Sequence, residues 1–388
     1  MVGSIPAGRG IATILVILAA LAAPASAQFL APAQISSGST GCANPTVERD
    51  VTDNISFAYD CDGDIFFAST VFAPGIDVNT TNGALSATRP DILAGFGGQI
   101  RIVFQRESPQ PGATGDDILT ITNTGGPWGT PITLVLSDDA DQDPRIAQSF
   151  VGDFAFSWWH TSVGGVDEVF VRRGLSNPNE NLGPGAGPVV AYDVTELLHV
   201  VFVRDGDLVH LSHDGTAYSA ETTLGTATSP DQVSIAALED LHVAYTSGGT
   251  IHYVTDEGGT FSASETLDTG TTGTPRVTVG AAGYVAVVYE KAGSILVRER
   301  VGGVFGPATT VAVGTAAQSP DLAVDSNGFL HVAYEEGGAI FYTNNVPLPT
   351  PEFSSNVTEG EIFLGVEFTN ESTGVYSEIL WDFGDGTT

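Results

Sequence analysis

Pro320-Asp-Leu-Ala-Val-Asp325-Ser-Asn-Gly-Phe329-Leu-His-Val-Ala-Tyr334-Glu-Glu-Gly-Gly-Ala339-Ile-Phe-Tyr342 decides the fold. Two turn signals, Asn327-Gly328 and Gly337-Gly338, separate three short runs of alternating apolar residues. Such turns join antiparallel strands. The reading predicts strands A (321–325), B (329–334) and C (339–343). His242-Val-Ala-Tyr-Thr-Ser-Gly-Gly-Thr-Ile-His-Tyr-Val254 repeats B and C, and residues 199–209 repeat them loosely, with Asp205-Gly206 at the turn.

Outward from this unit the same frame recurs. Prolines stand at Pro45, Pro90, Pro144, Pro188, Pro230, Pro275 and Pro320, at a spacing of 42 to 54 residues. An aromatic follows each on strand B, about fourteen residues on and one further after Pro230: Tyr59, Phe104, Trp158, Phe202, Tyr245, Tyr289 and Tyr334. Two residues past the prolines sit Val47, Ile92, Ile146, Val190, Val277 and Leu322, with Val233 as the equivalent after a one-residue insertion. A fourth strand, D, opens on an aromatic at Trp128, Tyr218, Phe261 and Phe305. Four strands per unit at this period mark a β-propeller, here of seven blades. The last unit lacks a strand D, and Phe29-Leu-Ala-Pro-Ala-Gln-Ile35 supplies one. The expectation is an all-β, seven-bladed propeller over residues 28–345, closed by its N-terminal strand.

Composition bounds function. Residues 1–27 read as a secretory signal, with Arg9, an apolar core over 11–23 and Ala25-Ser26-Ala27 before Gln28. The core is short for a spanning helix, so the chain is expected to be secreted or at the cell surface, not integral to a membrane. Only 13 Lys and Arg face 46 Asp and Glu, a net charge of −33. Nucleic acid and anionic membranes are poor partners for such a chain. The only cysteines, Cys42 and Cys61, are expected to form a disulfide in an exported protein.

In antiparallel blades the D-to-A and B-to-C connections share one face of the ring. That face collects the B-to-C insertion 105–117, which contains Arg106, the pair Trp159-His160, and the acidic D-to-A run 138–143. Asp91, Arg145, Arg276 and Asp321, each at the start of a strand A, are expected to point into the central channel. Asp91, Arg106, Arg145, Trp159, His160, Arg276 and Asp321 are therefore the candidate ligand-binding residues, on the principle that loops on a rigid scaffold carry function. Asp139, Asp141 and Asp143 alternate as oxygen ligands of Ca²⁺ do, against the simpler reading of a solvated acidic loop. Asp60-Cys-Asp-Gly-Asp64 reads as a hairpin turn. His199, His242 and His331 hold one position in three blades, which separates them and favours packing over metal ligation. No Ser-His-Asp arrangement, cysteine nucleophile or phosphate loop stands out.

Two resemblances follow. Leu364-Gly-Val-Glu-Phe-Thr-Asn-Glu-Ser-Thr-Gly374 and Trp381-Asp-Phe-Gly-Asp-Gly-Thr-Thr388 resemble the PKD (polycystic kidney disease) domain, an immunoglobulin-like sandwich. The resemblance implies a truncated spacer or accessory module over 352–388, after a proline-rich linker at 346–351. Val254-Thr-Asp-Glu-Gly-Gly-Thr-Phe261 resembles a degenerate Asp-box, a structural turn of sialidases and other propellers. A sialidase-like site implies an arginine cluster with a Tyr-Glu pair, and only Arg145 and Arg276 stand at equivalent strand starts. The best-supported role is non-catalytic binding of polysaccharide or a surface protein at the propeller mouth, with Ca²⁺ as the one cofactor considered. The alternatives are a carbohydrate-active enzyme using the same mouth, and a structural surface or matrix protein.

Overall fold

A computed structural model describes residues 29–36, 41–70, 76–77, 85–95, 98–109, 115–137, 139–162, 164–227, 229, 232–314, 316–347, 350–355 and 367–373. The signal-like segment 1–27 and Trp381–Thr388 lie outside the described residues. In the region that carries the PKD resemblance, Phe353–Ser355 pairs with Phe368–Asn370 and Thr350 bridges Thr373.

Seven sheets follow one another along the chain. Blade 1 is Cys42–Arg49, Ile55–Cys61, Asp64–Ser69 and Ile76–Asp77. Blade 2 is Ala87–Ala94, Ile100–Glu107, Asp116–Asn123 and Ile132–Val135, and blade 3 is Ala140–Gln148, Phe154–Thr161, Asp167–Arg173 and Glu180–Pro184. Blade 4 is Ala186–Tyr192, Leu198–Arg204, Asp207–His213 and Thr222–Thr226, and blade 5 is Val233–Ala237, Leu241–Ser247, Thr250–Thr255 and Glu265–Thr269. Blade 6 is Thr272–Val279, Val285–Lys291 and Ser294–Val301, with its outer strand in two pieces, Val304–Phe305 and Thr309–Ala312, that flank Pro307. Blade 7 is Ala317–Val324, Leu330–Glu336 and Ala339–Asn344, completed by Ala33–Gln34 from the N-terminus. The expected ring closure is present: Ala33 pairs with Tyr342 and Gln34 with Phe341, antiparallel.

The structure corrects the start of strand A. In six blades it begins two to four residues before the proline and passes through it on a β-bulge. The register slips between Ala43 and Thr46, Thr88 and Asp91, Gln142 and Arg145, Ala186 and Val189, Thr272 and Arg276, and Gln318 and Asp321. The bulge turns on a left-handed residue before the proline: Asn44, Arg89, Asp143, Gly187, Gly273 or Ser319. Proline has no amide to donate, so in a sheet it is confined to edges and bulges. Strand A is the edge facing the channel, and the repeated proline marks where its pairing is interrupted.

Register also corrects blade 5. Ser234 faces Ala244, as Asp321 faces Ala333, so Ser234 is its channel position and Ile235 stands where Val233 was expected. The insertion after Pro230 is longer than one residue, offset by a tighter A-to-B turn over 238–240. Strand D is corrected too. The aromatics Trp128, Tyr218, Phe261 and Phe305 each sit four residues before the long part of the outer strand, which starts at Ile132, Thr222, Glu265 and Thr309. Phe29 keeps the same offset from Ala33. Several wedge against the preceding blade: Trp128 on Phe67 at 5.1 Å, Phe261 on His210 at 5.0 Å, Phe305 on Tyr253 at 4.9 Å.

The core lies between blades. The strand-B aromatics Tyr59, Phe104, Trp158, Phe202, Tyr245, Tyr289 and Tyr334 are all at most 2 % exposed. Each packs in a cluster that joins adjacent sheets, as Phe104 does with Ala58, Ile65 and Phe67 of blade 1. Burying a side chain of this size contributes about 2–3 kcal/mol, and the period of the aromatics spreads that gain evenly round the ring. Cys42 and Cys61, directly opposite on strands A and B of blade 1, are disulfide-bonded. Among the described residues no helix is long and apolar enough to cross a membrane.

Candidate functional site in the central channel

One residue of each strand A faces the channel, the residue after the bulge proline in six blades and Ser234 by register in blade 5: Thr46, Asp91, Arg145, Val189, Ser234, Arg276 and Asp321 on blades 1 to 7. Some of these side chains satisfy the open edge of the next strand A. The Ile146 amide donates to Asp91 at 2.9 Å, the Val47 amide to Asp321 at 2.8 Å, and the Val277 amide to Ser234 Oγ at 3.1 Å. An innermost strand has no partner on its channel side, so its amides need such acceptors.

The charged positions are arranged unevenly. Asp321 and Asp91 sit on blades 7 and 2. Glu48, two residues beyond Thr46 on blade 1, lines the channel with them. Arg276 and Arg145 flank this acidic arc on blades 6 and 3, and blades 4 and 5 contribute only Val189 and Ser234. Arg276 Nε stands 3.8 Å from Asp321, a loose pair, with 20 % and 16 % of the two side chains exposed. Among the described residues Arg145 makes no hydrogen bond and no ion pair. Both arginines line two chambers. One, about 400 Å³, opens toward the A-to-B turns, and the other, about 200 Å³, toward the bulges at the opposite mouth.

Confinement in the channel shifts the acids. Burial pushes Glu48 up to about 8, with Asp321 and Asp91 adding to the rise and the Arg49 amide opposing it. Burial pushes Asp321 up to about 6 against the pull of Arg276. Asp91 is raised by burial, with Arg145 opposing. Arg276 is lowered by burial and then by Arg145. Stripping water from a charge disfavours it, and neighbours of like sign add to the cost.

The other candidates fall outside this belt. Strand A of blade 3 starts at Ala140, so Asp141 and Asp143 are strand residues, not part of a solvated loop. They turn to different partners. Asp141, 1 % exposed, takes His160 Nδ1 at 3.0 Å and Ser137 Oγ at 2.7 Å, while Asp139 lies 3.4 Å from His160 Nε2. Asp143 pairs with Arg89 and accepts the Trp159 indole N–H at 3.2 Å. Burial works against the Asp143 charge, but Arg145 and Arg89 outweigh it and hold the carboxyl below its ordinary value. Among the described residues no group of three or more His, Cys, Asp or Glu is arranged to hold a metal ion. Trp159 and His160 belong to strand B and are half-buried. The 105–117 segment is shorter as a loop than expected, since strands B and C run to Glu107 and from Asp116. Arg106 stands on strand B opposite Asp117, its Nε buried without a partner. His199, His242 and His331 bond within their own blades, to His210 at 3.0 Å, Tyr253 at 2.6 Å and Tyr342 at 2.7 Å.

Glu48 escaped the sequence reading, although a signal existed. Its position is held by Leu93, Ala147, Ala191, Ala236, Thr278 and Ala323 in the other blades. An acid where the repeat otherwise places small or apolar residues is the departure worth marking.

No protein-family model matches the chain, and no curated protein does. Solved structures do. A catalytically inactive virginiamycin B lyase from Staphylococcus aureus with quinupristin is 12% identical, with a TM-score of 0.54 over 81% of this chain and 99% of that one. An α-L-arabinanase of Penicillium chrysogenum complexed with arabinobiose is 12% identical, TM-score 0.50, over 82% and 98%. The NanB sialidase of Streptococcus pneumoniae is 10% identical, TM-score 0.50, over 75% and 83%. At such identities the likeness shows the fold alone, a seven-bladed β-propeller with sialidases among its structural neighbours.

Proposed function

We propose that this protein is an exported, non-catalytic carbohydrate-binding propeller whose channel takes a saccharide bearing a carboxylate. The observation that carries the reading is the pair Arg145 and Arg276. In a chain with only 13 Lys and Arg, two guanidinium groups face a water-accessible channel with most of their donors unengaged. A guanidinium presents a planar fork that matches a carboxylate. The acidic arc between them, Glu48, Asp91 and Asp321, supplies acceptors for hydroxyl groups. The arabinanase and sialidase among the structural neighbours make saccharides the first ligands to test. The Cys42–Cys61 bond suits an oxidising compartment.

Titration calorimetry with polygalacturonate, and with the same polymer after carboxyl reduction, tests the reading. The acidic polymer should bind and the reduced one should not. Arg145→Ala with Arg276→Ala should weaken binding by about 100-fold, as expected for two charge-assisted contacts. Equal binding of both polymers would overturn it.

Glu48 supports a second reading, a carbohydrate-active enzyme. At neutral pH an acid raised to about 8 stays protonated, while Asp321, raised only to about 6, is ionised. A proton donor and an ionised carboxylate are what glycoside cleavage requires. Product release in the same mixtures, abolished by Glu48→Gln, would establish that reading in place of the first.

A further inference from the structure

A separate cavity of about 320 Å³ opens between blades 3 and 4, on the face of the A-to-B and C-to-D turns. It adjoins the larger channel chamber through Tyr192, which lines both. Its size is at the low end of the roughly 300–1,000 Å³ typical of ligand pockets.

The floor is a connected polar network. Arg173 donates to Glu180 Oε1 through Nε at 3.2 Å and Nη2 at 2.6 Å, and the Tyr218 hydroxyl donates to Oε2 at 2.7 Å. Glu180 is thereby held below its ordinary value against the effect of burial, and Arg173 has its counter-charge. Arg173 Nη1 also reaches His213 Nδ1 at 3.3 Å, and the Gly215 amide donates to that same nitrogen at 2.9 Å. Two donors on Nδ1 leave the ring proton on Nε2. Burial, then Arg173, lowers the His213 pKa and keeps the ring neutral.

His213 is 3 % exposed and lines the cavity, and its Nε2–H has no hydrogen-bond partner among the described residues. The Tyr192 hydroxyl has none among them either. Around these two donors the lining carries the carboxylates of Asp153, Glu196 and Asp214, which offer acceptors only. Arg173 is neutralised by Glu180, but a cationic ligand that only donates would leave the His213 Nε2–H without an acceptor. An anion would meet three carboxylates. A neutral polyol suffers neither penalty, because each hydroxyl accepts from His213 or Tyr192 and donates to a carboxylate.

We propose that this cavity is a binding subsite for one neutral sugar ring, oriented by His213 Nε2–H, the Tyr192 hydroxyl and the carboxylate of Glu196. It does not depend on the anion site in the channel, and neutral probes separate the two. Intact protein labelled with ¹⁵N-histidine is titrated with methyl β-D-glucoside, methyl β-D-galactoside and methyl α-D-mannoside, with sodium glucuronate and putrescine as charged probes. At least one neutral glycoside should move the His213 Nε2 resonance along a saturating curve. Tyr192→Phe and Glu196→Gln should each weaken that curve about 5- to 10-fold, the loss of one hydrogen bond. The proposal fails if no neutral glycoside moves the resonance, if putrescine or glucuronate moves it more strongly, or if both variants titrate like the parent. Glucuronate that leaves the resonance unmoved is the expected result here, and the channel reading stands or falls separately, on the polygalacturonate titration.

Discussion

Blades 5 and 7 share strands B and C almost residue for residue and differ in where the fourth strand comes from. In blade 5, strand C turns at Asp256–Gly259 and returns as Glu265–Thr269. In blade 7, strand C is met by Ala33–Gln34 from the far end of the propeller. The seam is well bonded. The Leu30 amide donates to Asn344 O at 2.8 Å and the Ile35 amide to Ile340 O at 2.9 Å. Thr343 Oγ1 donates to Leu30 O at 2.6 Å, and the Ile340 amide to Ser36 Oγ at 3.0 Å. What differs is entropy. The His252–Thr266 pair of blade 5 closes a short hairpin, whereas Ser36 and Ile340 are 304 residues apart. Closing the longer loop costs about 3 kcal/mol more on a logarithmic law. Equal contacts therefore give unequal blades, and blade 7 is where the ring opens first.

The largest expected effect comes from cutting that seam. Deleting residues 29–36 removes the outer strand, buried Ile35 and the Phe29 wedge. The loss of about 4 kcal/mol of burial and hydrogen bonding lowers Tm by roughly 10 °C. A scanning-calorimetry trace that does not move would make blades 5 and 7 equivalent and remove the comparison.

A smaller effect is expected from Cys42→Ser with Cys61→Ser. The bond ties the strand that follows the seam to its neighbour and closes a separation of 19 residues. Its removal should cost about 3 kcal/mol in the chain-entropy model. Urea titration of the double variant beside the truncation ranks the two: a bond that costs more than the strand would shift the weak point from blade 7 to blade 1.

The effect that vanishes near pH 5 and grows only as pH rises lies at the junction of blades 7 and 1. Glu48 titrates near 8 in the fold against an ordinary 4.5, so between those values the native state holds the extra proton. Stability is then greatest below pH 4.5 and falls as pH rises to about 8. Asp321 adds a like-signed fall between 3.8 and about 6. Glu48→Gln should nearly match the parent near pH 5 and melt roughly 10 °C higher near pH 9, since each unit of a raised pKa is worth about 1.4 kcal/mol. Parallel Tm profiles for the two proteins would mean that Glu48 keeps its ordinary titration and the acidic arc places no strain on the junction.

Much of this architecture was legible because a propeller repeats its constraints. Each blade buries an aromatic at one strand-B position and interrupts its inner edge at one proline, so seven weak signals reinforce one another. Even the closure was legible, from Phe29 standing where other blades carry a strand-D aromatic. The boundaries were less so. A bulge looks like a strand start in sequence, since the proline hides the paired residues before it, and Asp141 and Asp143 read as loop residues for that reason. In blade 5 an insertion and a shortened turn nearly cancel, which concealed Ser234.

By itself the sequence determined the all-β class, the blade count, the seam, the disulfide and the channel-facing direction of Asp91, Arg145, Arg276 and Asp321. Those follow from local periodicity, which alternates side chains by residue number whatever lies elsewhere in the chain. Only the tertiary structure decided which charges meet. That Asp141 is taken by His160, that Arg145 is left open, that Glu48 joins two aspartates from other blades, and that His213 and Tyr192 line one cavity all depend on distances across strands, within blades and between them. Burial and Coulomb interactions act through space, and the order of residues along a chain does not record them.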